Sequence, residues 1–337
     1  SCENQMNQEE YSMSTRTELL KLLMENTGVY LSGQKIGDAL QVSRNAVWKA
    51  MQQLRSEGYH IESKPSIGYR LKTKSNILTE ASVSGSLRFP CDLKVFDTVD
   101  STNNIAKELP AGDLPVMVIA NKQEAGRGRL GRSFASPAGT GLYMTVALRP
   151  HFDLSKSLYV TMAAAVAVCR AIEKTAGIKA RIKWVNDLFI GGKKVCGILT
   201  EAQTNFETGK IDSLIIGIGV NCFPGSFPEE LKEIVGAVSP QKNSFSRGEL
   251  AAEIFNELME VLNDLDSRSF LREYRTKCFV LGKNILVHSA VNSRPVRARA
   301  IDIDENGGLV VEYMEGRRMR QHDPGSPNHG LHPAKPG

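Results

Sequence analysis

The chain lacks any run of 18 or more apolar residues, which excludes a membrane-spanning helix by length. Its most apolar stretch, Leu158 to Cys169, is too short to cross a bilayer and reads as a buried helix. The N-terminus shows no basic-then-apolar signal pattern. The six cysteines stand at 2, 91, 169, 196, 222 and 278, and no two have CxxC spacing. Scattered cysteines exclude a disulfide framework and predict reduced thiols in a cytoplasmic protein with no membrane partner. Histidine is scarce too, with six dispersed residues, which argues against a zinc site.

What is present is ordinary in bulk and uneven in place. A chain of 337 residues, 41% hydrophobic and 23% charged, can bury at least one large core and form two or three domains. The net charge is +5. Between Ser14 and Ser75 there are ten Lys or Arg against five Asp or Glu, and elsewhere 32 basic residues balance 32 acidic ones. The whole excess therefore lies in one segment, which predicts a polyanionic partner for that segment alone.

Periodicity orders the chain. Thr15 with Glu18 reads as a capping box, and Leu19, Leu22 and Leu23 make an apolar stripe. Ser32 caps a second helix with Ile36 and Leu40 inward. Ser43 caps a third, with Val47, Met51 and Leu54 inward. Two short strands around the turn KPSIG follow, completing the order of a winged helix-turn-helix. Six strands are then expected, at 94–97, 116–121, 141–148, 181–183, 194–202 and 213–220, with helices from Ser155 to about Thr175 and from Arg247 to about Leu265. Short β-like runs from Leu281 to about Met319 suggest a small last domain. The tail from His322 is rich in Pro and Gly and is expected to be disordered. The domains so drawn are a disordered tail 1–13, a winged helix-turn-helix 14–75, a large central domain 76–274, a small domain 275–320 and a disordered tail 321–337.

The third helix leaves Arg44, Asn45, Trp48, Lys49, Gln52 and Arg55 on its outer face. Arg, Asn and Gln can make bidentate contacts to base edges, and Lys49 and Arg55 suit phosphates as well. The capped Ser43 end would enter the groove first, and Lys64 and Arg70 bracket the hairpin. A protein-binding module with a solvated face is the alternative, and Trp48 fits either a contact or packing on the wing.

The segment "QEAGRGRLGR", residues 123–132, alternates glycine with arginine. Glycine permits close backbone approach, successive N–H groups can form an anion nest, and Arg127, Arg129 and Arg132 add donors suited to phosphate and carboxylate. It lacks the G-K-[ST] ending of a P-loop. A loop over a nucleotide or acyl-phosphate follows, with a basic surface loop as the alternative. In "KWVNDLFIGGKKVCGILTEA", residues 183–202, the Gly191–Gly192 pair reads as a hairpin turn that would put Lys183 and Lys194 on adjacent strands. Asp187 could orient Lys183 or hold Mg2+. In "IIGIGVNC", residues 215–222, the glycines would let a ligand lie against a strand ending at Asn221.

These segments resemble the biotin protein ligases, and the layout resembles the two-function bacterial type that also represses the biotin operon. The resemblance covers roughly residues 14 to 320, with "DSTN", "GRGRLGR", "KWVND", "KVCGIL.E" and "GIGVN" in family order. It implies an α/β (α+β) chain: a winged helix-turn-helix, a central class-II-synthetase-like mixed sheet with helices, and a small SH3-like β-barrel. It also implies biotin and ATP as substrates with Mg2+, transfer of biotin to a lysine of a biotin carboxyl carrier domain, operator DNA as a second partner, and a homodimer in the adenylate-bound state.

The resemblance further implies roles for single residues. Ser101, Thr102 and Gln123, with Asn103 of the same turn, would hold the biotin ureido ring. Arg127 and the backbone around Gly126 and Gly128 would contact biotin, Arg129 would retain the adenylate, and Arg132 would reach the phosphates. Phe134 stands where the family commonly has a tryptophan against adenine. Lys183, in a motif with Val185 for the usual proline, and Lys194 would act at the α-phosphate, and Asp187 would serve the metal. Asn186 and Asn221 would lie near adenine and sugar, and Gly197 would leave room beside the ligand. The end of the chain departs from the pattern: "EGRRMR" runs into "QHDPGSPNHG", so the last barrel strand is expected to be missing or replaced, and a barrel without it has an open edge. A lipoate or octanoate ligase, and a repressor with little ligase activity, are the competing readings.

Overall fold

A computed structural model describes residues 14–56, 59–72, 76–109, 112–150, 157–204, 211–287, 295–314, 318–321 and 332–333. The expected tail 1–13, the helix stop at Gly58, the boundary at Ser75 and the cap at Ser155 lie outside them. No helix among the described residues is long and apolar enough to cross a membrane.

The N-terminal region forms α1 (Thr15–Glu25), α2 (Gly33–Leu40), α3 (Arg44–Ser56) and the hairpin β1 (Ile61–Lys64) and β2 (Gly68–Leu71). The cap of α1 is Ser14, whose hydroxyl accepts from the Thr17 amide, and no Thr15–Glu18 box forms. Leu19, Leu20 and Leu23 fill the core, and Leu22 is only partly buried. Ser32 caps α2 by accepting from the Lys35 amide. Ser43 accepts from the Ala46 amide and begins α3. The hairpin is tied back by Leu31 and Tyr69, which exchange two backbone hydrogen bonds of 2.8 Å. Gly68 is required there: its φ is +129°, and a Cβ would stand 2.0 Å from the Leu31 carbonyl oxygen.

Next come α4 (Glu80–Ser84), β3 (Asp92–Val99), α5 (Thr102–Glu108), β4 (Val116–Gln123), β5 (Gly141–Leu148), α6 (Ser157–Ala176), β6 (Arg181–Lys183), β7 (Asp187–Ile190), β8 (Lys193–Thr204), β9 (Ile211–Asn221), α7 (Arg247–Asn263) and α8 (Phe270–Lys277). The strands form one mixed sheet in the order β3-β4-β5-β9-β8-β7-β6. The apolar α6 is buried along most of its length, as the sequence requires. Strand β7 was not expected. The Gly191–Gly192 turn joins β7 to β8, pairing Ile190 with Lys193. Lys183 and Lys194 therefore do not sit on adjacent strands: β7 lies between them, and Lys183 pairs with Asp187.

The last elements are β10 (Asn284–Val287), β11 (Val296–Ile303), β12 (Leu309–Tyr313), β13 (Arg318–Gln321) and β14 (His332–Pro333), an antiparallel sheet in the order β13-β12-β11-β10-β14. The segment expected to be unstructured from 321 thus ends one strand and supplies another: Leu286 pairs with His332 and Ile285 with Pro333. That pairing covers one edge of β10. Residues 322–331 and 334–337 lie outside the described set.

Helix α4 joins two cores. Ala81 packs with the N-terminal cluster, and Val83 packs with the central one. It begins in a capping box between Thr79 and Ser82, and Tyr59 of the first region lies 3.0 Å from the Thr79 hydroxyl. Its other side meets α7 at Gly248, where a Cβ would stand 2.5 Å from the Ser82 carbonyl oxygen. In a free helix Gly→Ala gains about 1 kcal/mol. Overpacking against backbone costs about 1–3 kcal/mol. Gly248→Ala is therefore expected to lower the melting temperature, and an unchanged or raised value would show that α4 does not press on α7 as described.

Candidate functional site

Three chain segments meet at the end of the β8–β9 ladder where Gly197 faces Gly219. The first is the turn entering α5. Gln123 Oε1 accepts from the Thr102 amide at 2.9 Å and from its hydroxyl at 3.1 Å. Gln123 Nε2 donates to Ser136 at 2.9 Å. These bonds tie Thr102 to the strand that opens the Gly-rich loop.

The second segment is that loop. It folds back on itself through Gly128 N–H to the Arg132 carbonyl, 2.7 Å, and Phe134 N–H to the Gly126 carbonyl, 2.8 Å. Positive φ falls at the tip, on Leu130 and Gly131, not at the first two glycines. Gly126 is needed for space: a Cβ would stand 2.4 Å from the Phe134 carbonyl oxygen. Arg129 points inward, and its Nη1 donates to Asn186 Oδ1 at 3.4 Å. Burial lowers the Arg129 pKa and Asp187 opposes the shift, so the guanidinium stays cationic.

The third segment is the turn "KWVND" with β7 and β8. Asn186 Nδ2 donates to the Ile198 carbonyl at 2.8 Å, and Ile198 N–H returns to the Asn186 carbonyl at 2.9 Å. The Tyr274 hydroxyl donates to the Val185 carbonyl at 2.9 Å, and the Trp184 indole donates to the Gly307 carbonyl of the last sheet at 3.0 Å. The turn is thus clamped from both sides. Lys194 Nζ lies 2.7 Å from Asp187 Oδ1. Burial lowers the Lys183 pKa; Asp187 opposes this, while the Lys194 and Arg132 charges add to it.

Together these enclose an open cleft of about 470 Å³. Ser101, Thr102, Asn103, Gln123, Arg127, Gly128, Arg129, Phe134, Asn186, Lys194 and Gly197 line it, as do Gly217 and Gly219. One end offers hydroxyls and an amide, and the other offers arginines and a lysine. Gly126, Arg132, Lys183, Asp187 and Asn221 do not line it, although the sequence singled them out. The glycines of β9 line the cleft, as expected, and have a second use. A Cβ on Gly217 would stand 2.3 Å from Asn103 Oδ1, and one on Gly219 would stand 2.5 Å from the Phe134 ring. They make room for side chains of the protein itself. Asn103 is likewise engaged inside, with Nδ2 on Glu201 at 2.8 Å and Oδ1 on Thr145 at 2.7 Å. Thr145 and Glu201 were missed. A lone threonine in the apolar "GLYMTVAL" was the available signal.

The magnesium expected at Asp187 does not fit a resident site. Its carboxylate is paired with Lys194, and among the described residues no three His, Cys, Asp or Glu cluster as metal ligands.

Comparison with known proteins agrees with this geometry. Residues 95–221 match the family model described as biotin/lipoate A/B protein ligase family, and residues 15–70 match an HTH domain model. The bifunctional ligase/repressor BirA of Bacillus subtilis is 37% identical over 310 residues, covering 89% of this chain and 95% of that protein. The chain belongs to the biotin/lipoate A/B protein ligase family. The Escherichia coli bifunctional ligase/repressor BirA is 29% identical and covers 89% of the chain. Among solved structures, the biotin protein ligase from Aquifex aeolicus in complex with biotin and ATP is 26% identical, with a TM-score of 0.60 over 72% of this chain and 99% of that one.

The separate N-terminal helix-turn-helix exposes the outer face of α3. Arg44, Asn45, Trp48, Lys49 and Gln52 stand in solvent, as does Lys64 on the wing, and Trp48 is 52% exposed. Two expected contacts are otherwise engaged. Arg55 Nε donates to the Ile61 carbonyl at 3.1 Å and its guanidinium lies near the Tyr69 ring. Arg70 pairs with Glu62 at 2.5 Å and lies over the Tyr30 ring. Arg55 ties α3 to the wing and Arg70 braces the wing itself against Tyr30, which the linear pattern of basic residues could not reveal.

Glu62 gathers Lys72, Arg70 and Tyr30, and those contacts lower its pKa from 4.5 to about 2. A carboxylate with a depressed native pKa stabilises the fold above its unfolded pKa and loses that effect as pH falls through its native value. The melting-temperature penalty of Glu62→Gln is therefore expected to be largest near neutrality and to shrink between pH 4.5 and about 2. A penalty constant across that window would exclude the paired carboxylate as its source.

Proposed function

We infer that this chain is a bifunctional biotin protein ligase: it forms biotinyl-5'-AMP from biotin and ATP, transfers biotin to a lysine of a biotin carboxyl carrier domain, and represses biotin genes through its N-terminal domain. The observation that carries the reading is the polarity of the cleft. Thr102 and Gln123 form a neutral hydrogen-bonding end suited to a cyclic urea. Arg127, Arg129 and Lys194 form a cationic end suited to a carboxylate meeting an α-phosphate.

In the first step the biotin carboxylate attacks the ATP α-phosphate and pyrophosphate leaves. Lys194 stands at the cleft, and Arg129 faces it from the loop; both offset the charge that grows on the phosphoryl oxygens. Lys183 adds positive potential from behind the cleft wall. Loop 123–132 covers the mixed anhydride and keeps water out. In the second step the neutral amine of the acceptor lysine attacks the acyl carbon and AMP leaves. Asn186 and Asn221 are assigned to the nucleoside, and Phe134 to stacking against it. Magnesium enters as Mg-ATP.

The domains are assigned at 14–75, 76–274 and 275–320, the last as an SH3-like barrel, in a cytoplasmic protein. The adenylate-bound protein is a homodimer. Pairing two weak half-site contacts raises apparent operator affinity through linkage, so the ligand that favours the dimer favours DNA.

Three measurements test this. With biotin, Mg-ATP and a carrier domain, the acceptor gains the mass of one biotinyl group. Arg129→Gly keeps much of the adenylation but releases biotinyl-AMP faster, so other lysines in the mixture become labelled. Transfer of lipoyl or octanoyl groups in place of biotin would overturn the reading, and an unchanged release rate would remove the role of Arg129. Operator affinity, in turn, should rise with biotin and ATP together and fall steeply with salt as phosphate contacts release counterions. Arg44→Ala should relax base preference by ~1–3 kcal/mol. Equal affinity for operator and random DNA under both conditions would leave the N-terminal domain with another role.

A further inference from the structure

One buried cation joins the linker between the first two domains to the neck of the Gly-rich loop. Arg247, the first residue of α7, is 3% exposed. Its Nη2 donates to the Asn76 carbonyl at 2.6 Å, and its backbone N–H donates to Asn76 Oδ1 at 3.1 Å. Asn76 stands between β2 and α4, on the segment that leads out of the N-terminal domain. The other arm of the guanidinium, Nη1, donates to Asn121 Oδ1 at 3.0 Å and to the Gly141 carbonyl at 2.7 Å.

Those two acceptors flank the loop. Asn121 lies in β4 just before Gln123, and Gly141 opens β5. Asn121 Oδ1 also accepts from the Gly139 N–H at 3.1 Å, so a single amide oxygen closes the neck and meets the guanidinium. Asn121 Nδ2 donates to Asp97 Oδ1 at 3.3 Å, which turns the oxygen toward both of its donors. The acceptors of Arg247 are thus carbonyl and amide oxygens, and burial lowers its pKa. A guanidinium stays charged in such a place and its N–H groups point in fixed directions. Neutral oxygens compensate it only while they stand where those groups point, and a buried N–H that loses its acceptor is costly. Displacement of the linker at Asn76 is therefore felt at the neck, and displacement of the neck is felt at Asn76.

We propose that Arg247 is a positioning residue that ties the neck of the Gly-rich loop to the interdomain linker at Asn76, so that the hold of the loop on biotinyl-AMP depends on a residue of the linker. The proposal rests on the ligase reading above and adds a path within one protomer between the ligand and the DNA-binding domain. The path works in both directions: what Asn76 contributes to ligand affinity, the bound ligand contributes to fixing the linker.

Titration of the full chain with biotinyl-AMP tests this in wild type, Asn76→Ala, Asn121→Ala and the double variant. Each single substitution is expected to weaken binding about fivefold, the lower end of couplings between sites. The double variant should bind no more weakly than the weaker single one, because both substitutions cut the same path. Asn76→Asp keeps an acceptor for the Arg247 amide and sets a carboxylate at the N-terminus of α7, so it should bind at least as tightly as wild type. Operator affinity with and without biotinyl-AMP is a readout that a merely structural role would not move: the gain brought by the ligand should shrink about fivefold in Asn76→Ala. Unchanged ligand affinity in Asn76→Ala, single effects that multiply in the double variant, or an unchanged gain in operator affinity would overturn the proposal. Weaker binding by Asn76→Asp would do so by itself, even if an alanine variant did not fold. A wild-type protein that binds no biotinyl-AMP would instead overturn the ligase reading.

Discussion

The cleft depends on one electrostatic constraint: several cations are held around a single carboxylate. Lys194 and Asp187 pair at 2.7 Å on neighbouring strands, and Arg129 reaches the same turn through Asn186. Removing these groups from water is unfavourable, and burial lowers the pKa of both Lys183 and Arg129. The pairing offsets part of that cost and leaves net positive potential. A carboxylate and a phosphate brought together there meet charges already in position, so little reorganisation is needed when they react.

Holding such charges requires a frame that does not relax. The β7–β8 hairpin supplies it, with Asp187 opposite Gly197 and Lys183 opposite Asp187. The turn before it is fixed by bonds from Tyr274 and from Trp184 to Gly307, so the last sheet takes part in shaping the site. At the other end α4 inserts one residue into each of two cores. The Gly-rich loop therefore sits on a scaffold that is also joined to the helix-turn-helix, which is a physical requirement for coupling the two activities.

Much of this was legible in the chain. The caps at Ser32 and Ser43, the buried helix at 158–169 and the strand at 141–148 follow from spacing and burial, and they form as expected. The cleft residues in the Gly-rich loop and the "STN" turn stand together because each carries a local signature. What the sequence hid was pairing. The unexpected β7 is four residues long and sits between two motifs, so periodicity could not resolve it. Arg55 and Arg70 read as DNA contacts until their partners on the wing were visible. Asn103 read as a ligand contact although its amide is engaged by Glu201, 98 residues away in sequence. Hydrogen bonds over such separations leave no mark on local composition.

The most direct measurement is single-turnover release of pyrophosphate on mixing the protein with biotin and Mg-ATP in the absence of any acceptor. The cationic-cleft account predicts about one equivalent of pyrophosphate and of retained biotinyl-AMP per site for the wild type. It predicts a rate lowered by at least about 100-fold in Lys194→Met, the scale on which removal of one preorganised donor acts. Wild-type protein that releases no pyrophosphate, or a Lys194→Met variant that reacts as fast as wild type, would contradict it.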